Sequence, residues 1–220
     1  MTDNIFVFMG IQGSGKGTQA ERLSRALTIP HVSTGDIFRE VIKQESALGE
    51  ELRGILGRGD LVPDELTSKM VRERIAKPDA RGGFILDGYP RTREQVQHLD
   101  DMLRDSGRAI RQVFFFDLPE AETVRRLEPR RVCSKDQTHI YHLVNKPPKN
   151  DMVCDIDGAP LIHRDDDKPE AIHKRVEEYK AKTLPLLDVY RQRDLVHSVD
   201  ATQSIDEVTG EVMRVATSDS

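Results

Sequence analysis

The sequence contains no tryptophan and only two cysteines, Cys133 and Cys154. Two cysteines are too few for the disulfide framework that stabilises small secreted domains. No apolar run approaches the roughly 20 residues that a membrane-spanning helix needs. The opening stretch, MTDNIFVFMG, also lacks the basic segment and the cleavage site of a secretory signal peptide. We therefore expect a cytoplasmic protein that has no membrane partner.

A surplus of positive charge is also absent, since the formal net charge is −5 at pH 7. Proteins that coat nucleic acid are basic, so this charge argues against a nucleic-acid partner. No arrangement of Ser, His and Asp, or of Cys and His, predicts a catalytic nucleophile. The chain does have 220 residues, enough for one large domain or for one domain with insertions.

Short apolar runs alternate with amphipathic segments along most of the chain. The apolar runs predict strands over Asn4–Met9, His31–Ser33, Gly83–Gly88, Arg111–Leu118 and Leu195–Val199. Helical spacing predicts helices over Lys16–Leu27, Ile37–Gln44, Gly49–Leu56, Pro63–Ala76, Thr92–Asp105, Pro119–Leu127, Pro169–Arg193 and Ser204–Val215. Pro185 should kink or break the longest of these helices. Repeated strand–helix units are typical of an α/β fold in which helices cover both faces of a parallel sheet.

Two stretches interrupt this alternation. Residues 33–62 contain helical segments but no strand, and residues 129–167 resemble turns and short strands. They leave a core made of residues 1–32, 63–128 and 168–220. Because insertions in an α/β sheet lie near the carboxyl ends of the strands, where ligands bind, we expect both to act as lids.

The strongest motif is GIQGSGKGT, from Gly10 to Thr18, between the first strand and the first helix. It fits the phosphate-loop pattern G-x-x-x-x-G-K-[ST] as far as Lys16, but Gly17 occupies the hydroxyl position and Thr18 supplies the hydroxyl one residue later. In such a loop, backbone N–H groups and the helix N-terminus bind phosphate oxygens. Lys16 would contact the outer phosphates of a nucleoside triphosphate. The alternative is a purely structural tight turn.

A second motif, DGYPRTREQ, follows the buried strand that ends near Asp87. A carboxylate at this end of a strand is placed to hold Mg²⁺ through water. Arg91 follows a turn of glycine, tyrosine and proline, and its planar fork suits a phosphate better than lysine does. Arg93 is better explained as a solvated surface charge.

A third motif, STGDIFR, contains Thr34, Asp36 and Arg39. Thr34 and Asp36 are good helix N-caps, so a structural role is the alternative for both. Arg39 would point towards phosphate bound at the first loop. Further arginines lie just before, within and after the second insertion: Arg125, Arg126, Arg130, Arg131, Arg164 and Arg175. Each alone is explained equally well as a solvated charge, but such a concentration in an acidic chain indicates an anionic ligand.

These residues orient phosphate chains and neutralise their charge, which is most of what γ-phosphoryl transfer requires. An acceptor that is itself a phosphate needs no general base, because its oxygen is already anionic near neutral pH.

With these motifs in place, the chain resembles adenylate kinase of the long-lid bacterial type along nearly its whole length. That family has the loop G-x-x-G-x-G-K-G-T, so Gly17 marks the subtype. It also has S-T-G-D-x-x-R, matching Ser33–Arg39, D-G-[FY]-P-R-T, matching Asp87–Thr92, and a turn like R-R-x-D-D before the last long helix. The resemblance implies a P-loop NTPase-like parallel β-sheet core, an inserted NMP-binding region at residues 33–62 and an inserted lid at 129–167.

The resemblance also implies roles for particular residues. The ATP-side residues would be Gly13, Ser14, Gly15, Lys16, Gly17, Thr18, Arg126, Arg130, Ile140, Tyr141 and Gln203. The AMP-side residues would be Thr34, Gly35, Arg39, Asp60, Leu61, Val62, Gly88, Tyr89, Pro90, Arg91, Gln95, Arg164 and Arg175, with Thr34 and Gln95 favouring adenine. Lys16, Asp87, Arg91, Arg126, Arg130, Arg164 and Arg175 would carry catalysis. The implied reaction is ATP + AMP ⇌ 2 ADP with Mg²⁺, by an enzyme that we expect to be a monomer.

The predicted lid departs from the pattern C-x-x-C … C-x-x-[CD] of metal-binding relatives, because Asp136 stands where the second cysteine would be. Cys133, Cys154 and Asp157, together with either His139 or Asp136, offer four ligands for a structural zinc ion. A metal-free lid with two reduced cysteines is the alternative.

The sequence is also compatible with three other functions. The same fold could use another substrate pair, such as GTP as donor or UMP or CMP as acceptor. A catalytically idle nucleotide sensor would need a damaged site, whereas the predicted basic side chains and Asp87 are all present. A nucleic-acid-binding module would need an aromatic and basic platform that the sequence lacks.

Overall fold

The computed structural model describes residues 4–218. The strands are β1 (Asn4–Gly10), β2 (His31–Ser33), β3 (Gly83–Asp87), β4 (Gln112–Asp117), β5 (Arg130–Cys133), β6 (Ile140–His142), β7 (Leu161–Ile162) and β8 (Val196–Asp200). The helices are α1 (Lys16–Leu27), α2 (Thr34–Lys43), α3 (Ala47–Gly57), α4 (Asp64–Ile75), α5 (Arg93–Asp105), α6 (Glu120–Leu127), α7 (Pro169–Glu178), α8 (Leu186–Arg191) and α9 (Ile205–Thr217). Each strand of the predicted core is present within about two residues of its expected bounds.

Five strands form a parallel sheet in the order β2-β3-β1-β4-β8, and three short strands form an antiparallel sheet in the order β6-β5-β7. The parallel sheet with flanking helices confirms the predicted fold class. All five carboxyl ends lie at one edge, so the loops after β1, β2 and β3 meet there.

Both faces of the parallel sheet are buried, as the alternation along β1 shows. Ile5, Val7 and Met9 pack with α4, α5 and α8, whereas Phe6 and Phe8 pack with α1, α7 and α9. On the second face the ring centroids of Phe8 and Phe116 are 5.0 Å apart. A sheet fixed from both sides is a rigid base for the loops at its edge.

The predicted helix over 169–193 is interrupted, as Pro185 required. Helix α7 ends at Glu178, the segment Tyr179–Thr183 forms a π-helical turn, and α8 begins at Leu186. The N–H of Leu184 donates to the carbonyl of Tyr179 at 2.8 Å, which is the wider hydrogen bond of that turn. Proline cannot continue a normal helical ladder because it lacks an N–H and its ring displaces an earlier carbonyl.

The two predicted insertions differ in structure. Helices α2 and α3 occupy most of residues 33–62, and the small antiparallel sheet lies within 129–167. They meet where Nζ of Lys43 donates to the carbonyl of Lys135 at 3.2 Å. Between residues 4 and 218, no helix combines the length and the apolar character needed to cross a bilayer.

Candidate active site

The phosphate loop connects β1 to α1 through backbone conformations that favour glycine. Gly10 has a φ of +149°, and a Cβ there would lie 2.6 Å from the carbonyl oxygen of Phe116. Gly15 has a φ of +87° and begins α1 without a side-chain cap, so no side chain occupies the first N–H groups of that helix. The positive end of a helix therefore faces the cleft uncapped, as an anion site requires.

Lys16 folds back over this loop. Its Nζ donates to the carbonyl oxygens of Gly10 at 2.7 Å and Ile11 at 2.8 Å. Burial lowers the pKa of Lys16 to about 8. Nearby arginines lower it further, whereas the negative charge of Asp87 raises it. Neutral carbonyls compensate a buried ammonium poorly, and a phosphate would compensate it better.

Asp87 ends β3 beside the loop. Its Oδ2 lies 3.2 Å from Nε2 of His31, and a Cβ added to Gly17 would lie 3.5 Å from the same oxygen. Burial alone would raise the pKa of Asp87, but the hydrogen bond and charge of His31, with Lys16 and Arg91, hold that pKa below its usual range. The carboxylate is thus ionised and faces a helix residue that has no side chain.

Thr34, Gly88 and Arg91 form a compact group next to Asp87. Thr34 Oγ1 donates to the carbonyl of Gly88 at 3.0 Å, and Nε of Arg91 donates to the same oxygen at 2.8 Å. A Cβ on Gly88 would lie 2.7 Å from Thr34 Oγ1, so only glycine allows this packing. The alternative interpretation of Thr34 as a helix cap is wrong, because Ser33 caps α2 by accepting the N–H of Asp36 at 3.2 Å.

Two aspartates hold three of the predicted arginines. Asp167 accepts both Nε and a terminal nitrogen of Arg130, at 2.7 and 2.5 Å. Asp166 accepts the same fork from Arg164, at 2.8 and 2.6 Å, and lies 3.2 Å from Arg175. Burial alone would raise the pKa of Asp166. The positive charges of these arginines outweigh that effect and hold the pKa below its usual range.

Asp166 and Asp167 belong to the turn that resembles R-R-x-D-D, but the sequence alone predicted no role for either residue. The run of three aspartates directly after Arg164 is the sequence signal that could have predicted this arginine-binding role. Burial lowers the pKa of Arg175 to about 10, although the charges of Asp166 and Asp167 act in the opposite direction. These carboxylates therefore stabilise a cation whose burial is otherwise costly. Arg39 has a similar partner in Asp36, the residue three positions earlier on α2.

These elements surround a cleft of about 1390 Å³ that extends from the loop to the lid. Ligand sites commonly occupy about 300–1,000 Å³, so this volume has room for more than one nucleotide. All eleven ATP-side residues line it, as do Asp87 and Pro90. A smaller adjoining cavity of about 70 Å³ is lined by Thr34, Gly35, Arg39, Asp60, Leu61, Val62, Gly88, Arg91, Gln95, Arg164 and Arg175.

Tyr89 is the exception among the AMP-side residues. Its side chain is 1% exposed, belongs to the core beside α4 and α5, and lines neither cavity. Its hydroxyl hydrogen-bonds with Ser68 at 2.9 Å and donates to the carbonyl of Gln95 at 3.1 Å. The tyrosine ring therefore supports the D-G-Y-P-R turn from beneath, and any contact of Tyr89 with the monophosphate would have to come from its backbone.

The lid contains a cluster of potential metal ligands. The ligand atoms of Cys133, His139, Cys154 and Asp157 all lie within 4.8 Å of one another. Of the two predicted fourth ligands, His139 belongs to this cluster: its Nδ1 lies 3.4 Å from Oδ2 of Asp157, and its Nε2 lies 3.6 Å from Oδ2 of Asp136. Asp136 itself accepts the N–H and hydroxyl of Thr138.

Comparison with known proteins agrees with this architecture. The family model described as adenylate kinase matches residues 8–195. The chain belongs to the adenylate kinase family. It is 45% identical to the adenylate kinase of Streptomyces coelicolor over 203 residues, which are 92% of this chain and 94% of that protein. It is 44% identical over 209 residues to the adenylate kinases of Staphylococcus epidermidis and Thermosipho africanus, covering 95% of this chain and 97% of each relative.

Membership of the adenylate kinase family confirms the prediction that the chain is a phosphotransferase enzyme. The alternatives of an idle sensor and of a nucleic-acid-binding module are not favoured, since the match spans most of the chain. The four-residue lid cluster is compatible with a bound metal ion.

Proposed function

We propose that the protein catalyses the reversible transfer of the terminal phosphoryl group of ATP to AMP, giving two ADP. The observation that carries the proposal is the continuous cleft in which the phosphate loop faces the arginines held by Asp166 and Asp167. Such a cleft can hold two phosphate chains in line and neutralise both. Phosphoryl transfer depends mainly on this positioning and charge stabilisation.

Each substrate would use one part of the cleft. The ATP-side residues would hold the triphosphate on the loop, with Lys16 exchanging its carbonyl partners for phosphate oxygens. The AMP-side residues, apart from the ring of Tyr89, would hold the monophosphate between residues 33–62 and the turn at Gly88–Arg91. Arg126, Arg130, Arg164 and Arg175 would neutralise charge at the junction between the two chains, where the transferred group lies.

Asp87 fits the role of holding Mg²⁺. It is ionised, it lies at the carboxyl end of β3, and it borders the loop at Gly17. Bound Mg²⁺ would supply charge neutralisation on the ATP phosphates. His31 would keep the carboxylate oriented before the nucleotide arrives.

The donor set of the lid fits a structural zinc ion, with Cys133, His139, Cys154 and Asp157 as ligands. The N–H groups of Lys135 and Asp136 each approach the sulfur of Cys133 at 3.4 Å, and Asp136 faces the far nitrogen of His139. Outer carboxylates commonly orient histidine ligands in this way. We therefore place Asp136 outside the ligand set.

The division of the chain into a core with insertions at 33–62 and 129–167 stays a prediction. The expectation of a cytoplasmic monomer also stays a prediction.

The test is the initial rate of diphosphate formation with Mg²⁺ATP and each of AMP, UMP, CMP and GMP. We expect a strong preference for AMP. Comparable rates with UMP or CMP would keep the chemistry and broaden the substrate class. No transfer to any acceptor, with ATP still bound, would overturn the proposal in favour of a sensor.

A further inference from the structure

The side-chain amide of Gln95 is fixed at both ends before any ligand arrives. Gln95 is 2% exposed, lies in the first turn of α5 and lines the small cavity beside Thr34. Its Oε1 accepts the N–H of Arg91 at 2.8 Å, and its Nε2 donates to Oδ1 of Asp64 at 2.7 Å. One hydrogen on the nitrogen and one lone pair on the oxygen remain for the cavity.

These two partners leave the amide only one orientation. A backbone N–H can only donate, so the atom next to Arg91 must be the oxygen. A carboxylate can only accept, so the atom next to Asp64 must be the nitrogen. Rotation of the amide by a half-turn would oppose donor to donor and acceptor to acceptor, in a site where unpaired groups are costly. The orientation is thus set by chemistry and not by an arbitrary choice between nitrogen and oxygen.

Asp64 is itself held by a closed ring of hydrogen bonds. Its Oδ2 accepts the hydroxyl of Thr92 at 2.7 Å, and that hydroxyl oxygen accepts the N–H of Gln95 at 3.1 Å. Asp64 also begins α4, where the helix dipole favours a negative charge. One carboxylate therefore links the start of α4 to the start of α5, because it receives a hydrogen bond from Thr92, which caps α5, and another from Gln95 in its first turn.

The orientation of an amide matters because two kinds of purine present opposite edges. Adenine offers an acceptor at N1 beside a donor at N6, whereas a 6-oxopurine offers a donor at N1 beside an acceptor at O6. An amide has one donor and one acceptor side by side, so it can pair with either edge. Turning it over exchanges the two.

We propose that Asp64 is a specificity-positioning residue, which locks the Gln95 amide in the orientation that reads the adenine edge of the monophosphate and rejects a 6-oxopurine. The inference rests on the proposed function, because it takes the small cavity and its surroundings as the AMP site. It goes further in assigning base discrimination to a residue that does not contact the base.

The test compares the wild type with Asp64→Ala, using AMP and IMP as acceptors at saturating Mg²⁺ATP. We expect Asp64→Ala to raise KM for AMP about tenfold and to lower the ratio of kcat/KM for AMP over IMP by about tenfold or more. The kcat at saturating AMP and the KM for ATP should stay within about threefold. A general loss of structure would instead lower every parameter together.

Two further variants separate positioning from stability. Asp64→Asn keeps an acceptor for Nε2 of Gln95, so it should restore the AMP preference to within about threefold of the wild type. Glu65→Ala removes the neighbouring exposed carboxylate from the same helical turn, without touching Gln95, and should leave the preference unchanged. Thermal unfolding of each variant establishes that it is folded.

An unchanged AMP preference in Asp64→Ala, or an equal change in Glu65→Ala, would overturn the inference. Equilibrium binding of AMP and IMP to the same variants provides a readout that needs no turnover. A wild type that binds AMP well above IMP but transfers no phosphoryl group would contradict the proposed function alone. A wild type that binds both equally would contradict the role of Asp64.

Discussion

His31 and Asp87 form a hydrogen-bonded pair across the edge of the sheet, with Nε2 of His31 3.2 Å from Oδ2 of Asp87. Both side chains are largely buried, with 20% and 15% of their surfaces exposed. Burial alone would lower the pKa of His31, but the hydrogen bond and charge of Asp87 raise it above its usual value. The pair therefore favours the protonated imidazole beside the carboxylate that we assign to Mg²⁺.

The first prediction is that this pair makes stability depend on pH. Because the pKa of His31 is higher in the folded state than in the unfolded state, its contribution is complete below the unfolded value of 6.5 and is lost as pH rises through the folded value. His31→Gln keeps a donor without a titratable group. The stability advantage of the wild type over His31→Gln should thus be largest below the unfolded value and shrink as pH rises through the raised, folded-state pKa.

Urea unfolding of both proteins across this range measures the effect. Asp87 stays ionised across this range because its pKa is lowered. Its titration therefore does not contribute to the pH dependence of the free energy of unfolding. A hydrogen bond to a charged group contributes about 1.5–3 kcal/mol, which sets the expected size. An advantage that grows with pH would contradict the assigned sign.

The second prediction concerns Lys16. Because its pKa is about 8 in the protein without nucleotide, a growing fraction of the free enzyme has a neutral amine above that pH. The value of kcat/KM for ATP reports the free enzyme and should fall above about pH 8, whereas kcat should fall only at higher pH, once phosphate stabilises the ammonium. Lys16→Arg removes the titration and should flatten the alkaline limb, at a lower rate. If kcat/KM for ATP falls at the same alkaline pH in Lys16→Arg, the titration belongs to another group.

The third prediction is that Lys16→Ala and Arg91→Ala each lower turnover by at least about two orders of magnitude and leave the fold intact. Loss of one donor that stabilises transition-state charge costs about 3 kcal/mol. For Arg91, the matched control is Arg93→Ala, which removes an exposed arginine two residues away and should change turnover by less than about twofold. Single-turnover rates and circular dichroism distinguish lost chemistry from lost structure, and an unchanged rate would remove the residue from the mechanism.

The fourth prediction is that protein purified without a histidine tag carries about one equivalent of metal in the lid. Chelation should lower Tm more than it slows the reaction, by roughly 2–4 °C for each kcal/mol of lost binding energy. His139→Gln should lose the metal and Asp136→Asn should retain it. Elemental analysis well below half an equivalent in the wild type would instead support a metal-free lid. Retention by His139→Gln with loss by Asp136→Asn would reverse the assignment of the fourth ligand.

Much of the fold was predictable because local physical rules act strongly on it. The run Asn4–Met9 had to become a buried strand, since a parallel sheet covered on both faces needs continuous apolar segments. Pro185 had to interrupt its helix for want of an N–H. The loop at Gly10–Thr18 combined a strand end, glycines and a helix start in one stretch, so its location was fixed by short-range sequence.

Other features depended on residues far apart in the chain. The cap of α2 could not be decided locally, because Thr34 and Asp36 both suit a cap by residue type. In the structure the carbonyl of Gly88 accepts the hydroxyl of Thr34, and Ser33 caps the helix. The direction of the Tyr89 ring was equally hidden. Its burial follows from the packing of α4 and α5 beneath the turn.

The sequence by itself determined the fold class and the location of the phosphate loop, because these follow from periodicity and a compact motif, while the resemblance to a family supplied the expected roles of the other site residues. Only the tertiary structure decided how those residues are held. His31 with Asp87, Asp167 with Arg130 and Gln95 with Asp64 are pairs that form when separate elements bring a charge and its partner out of water together. Burial makes each unpaired group costly, so the partner is fixed by three-dimensional packing and leaves no local pattern to read.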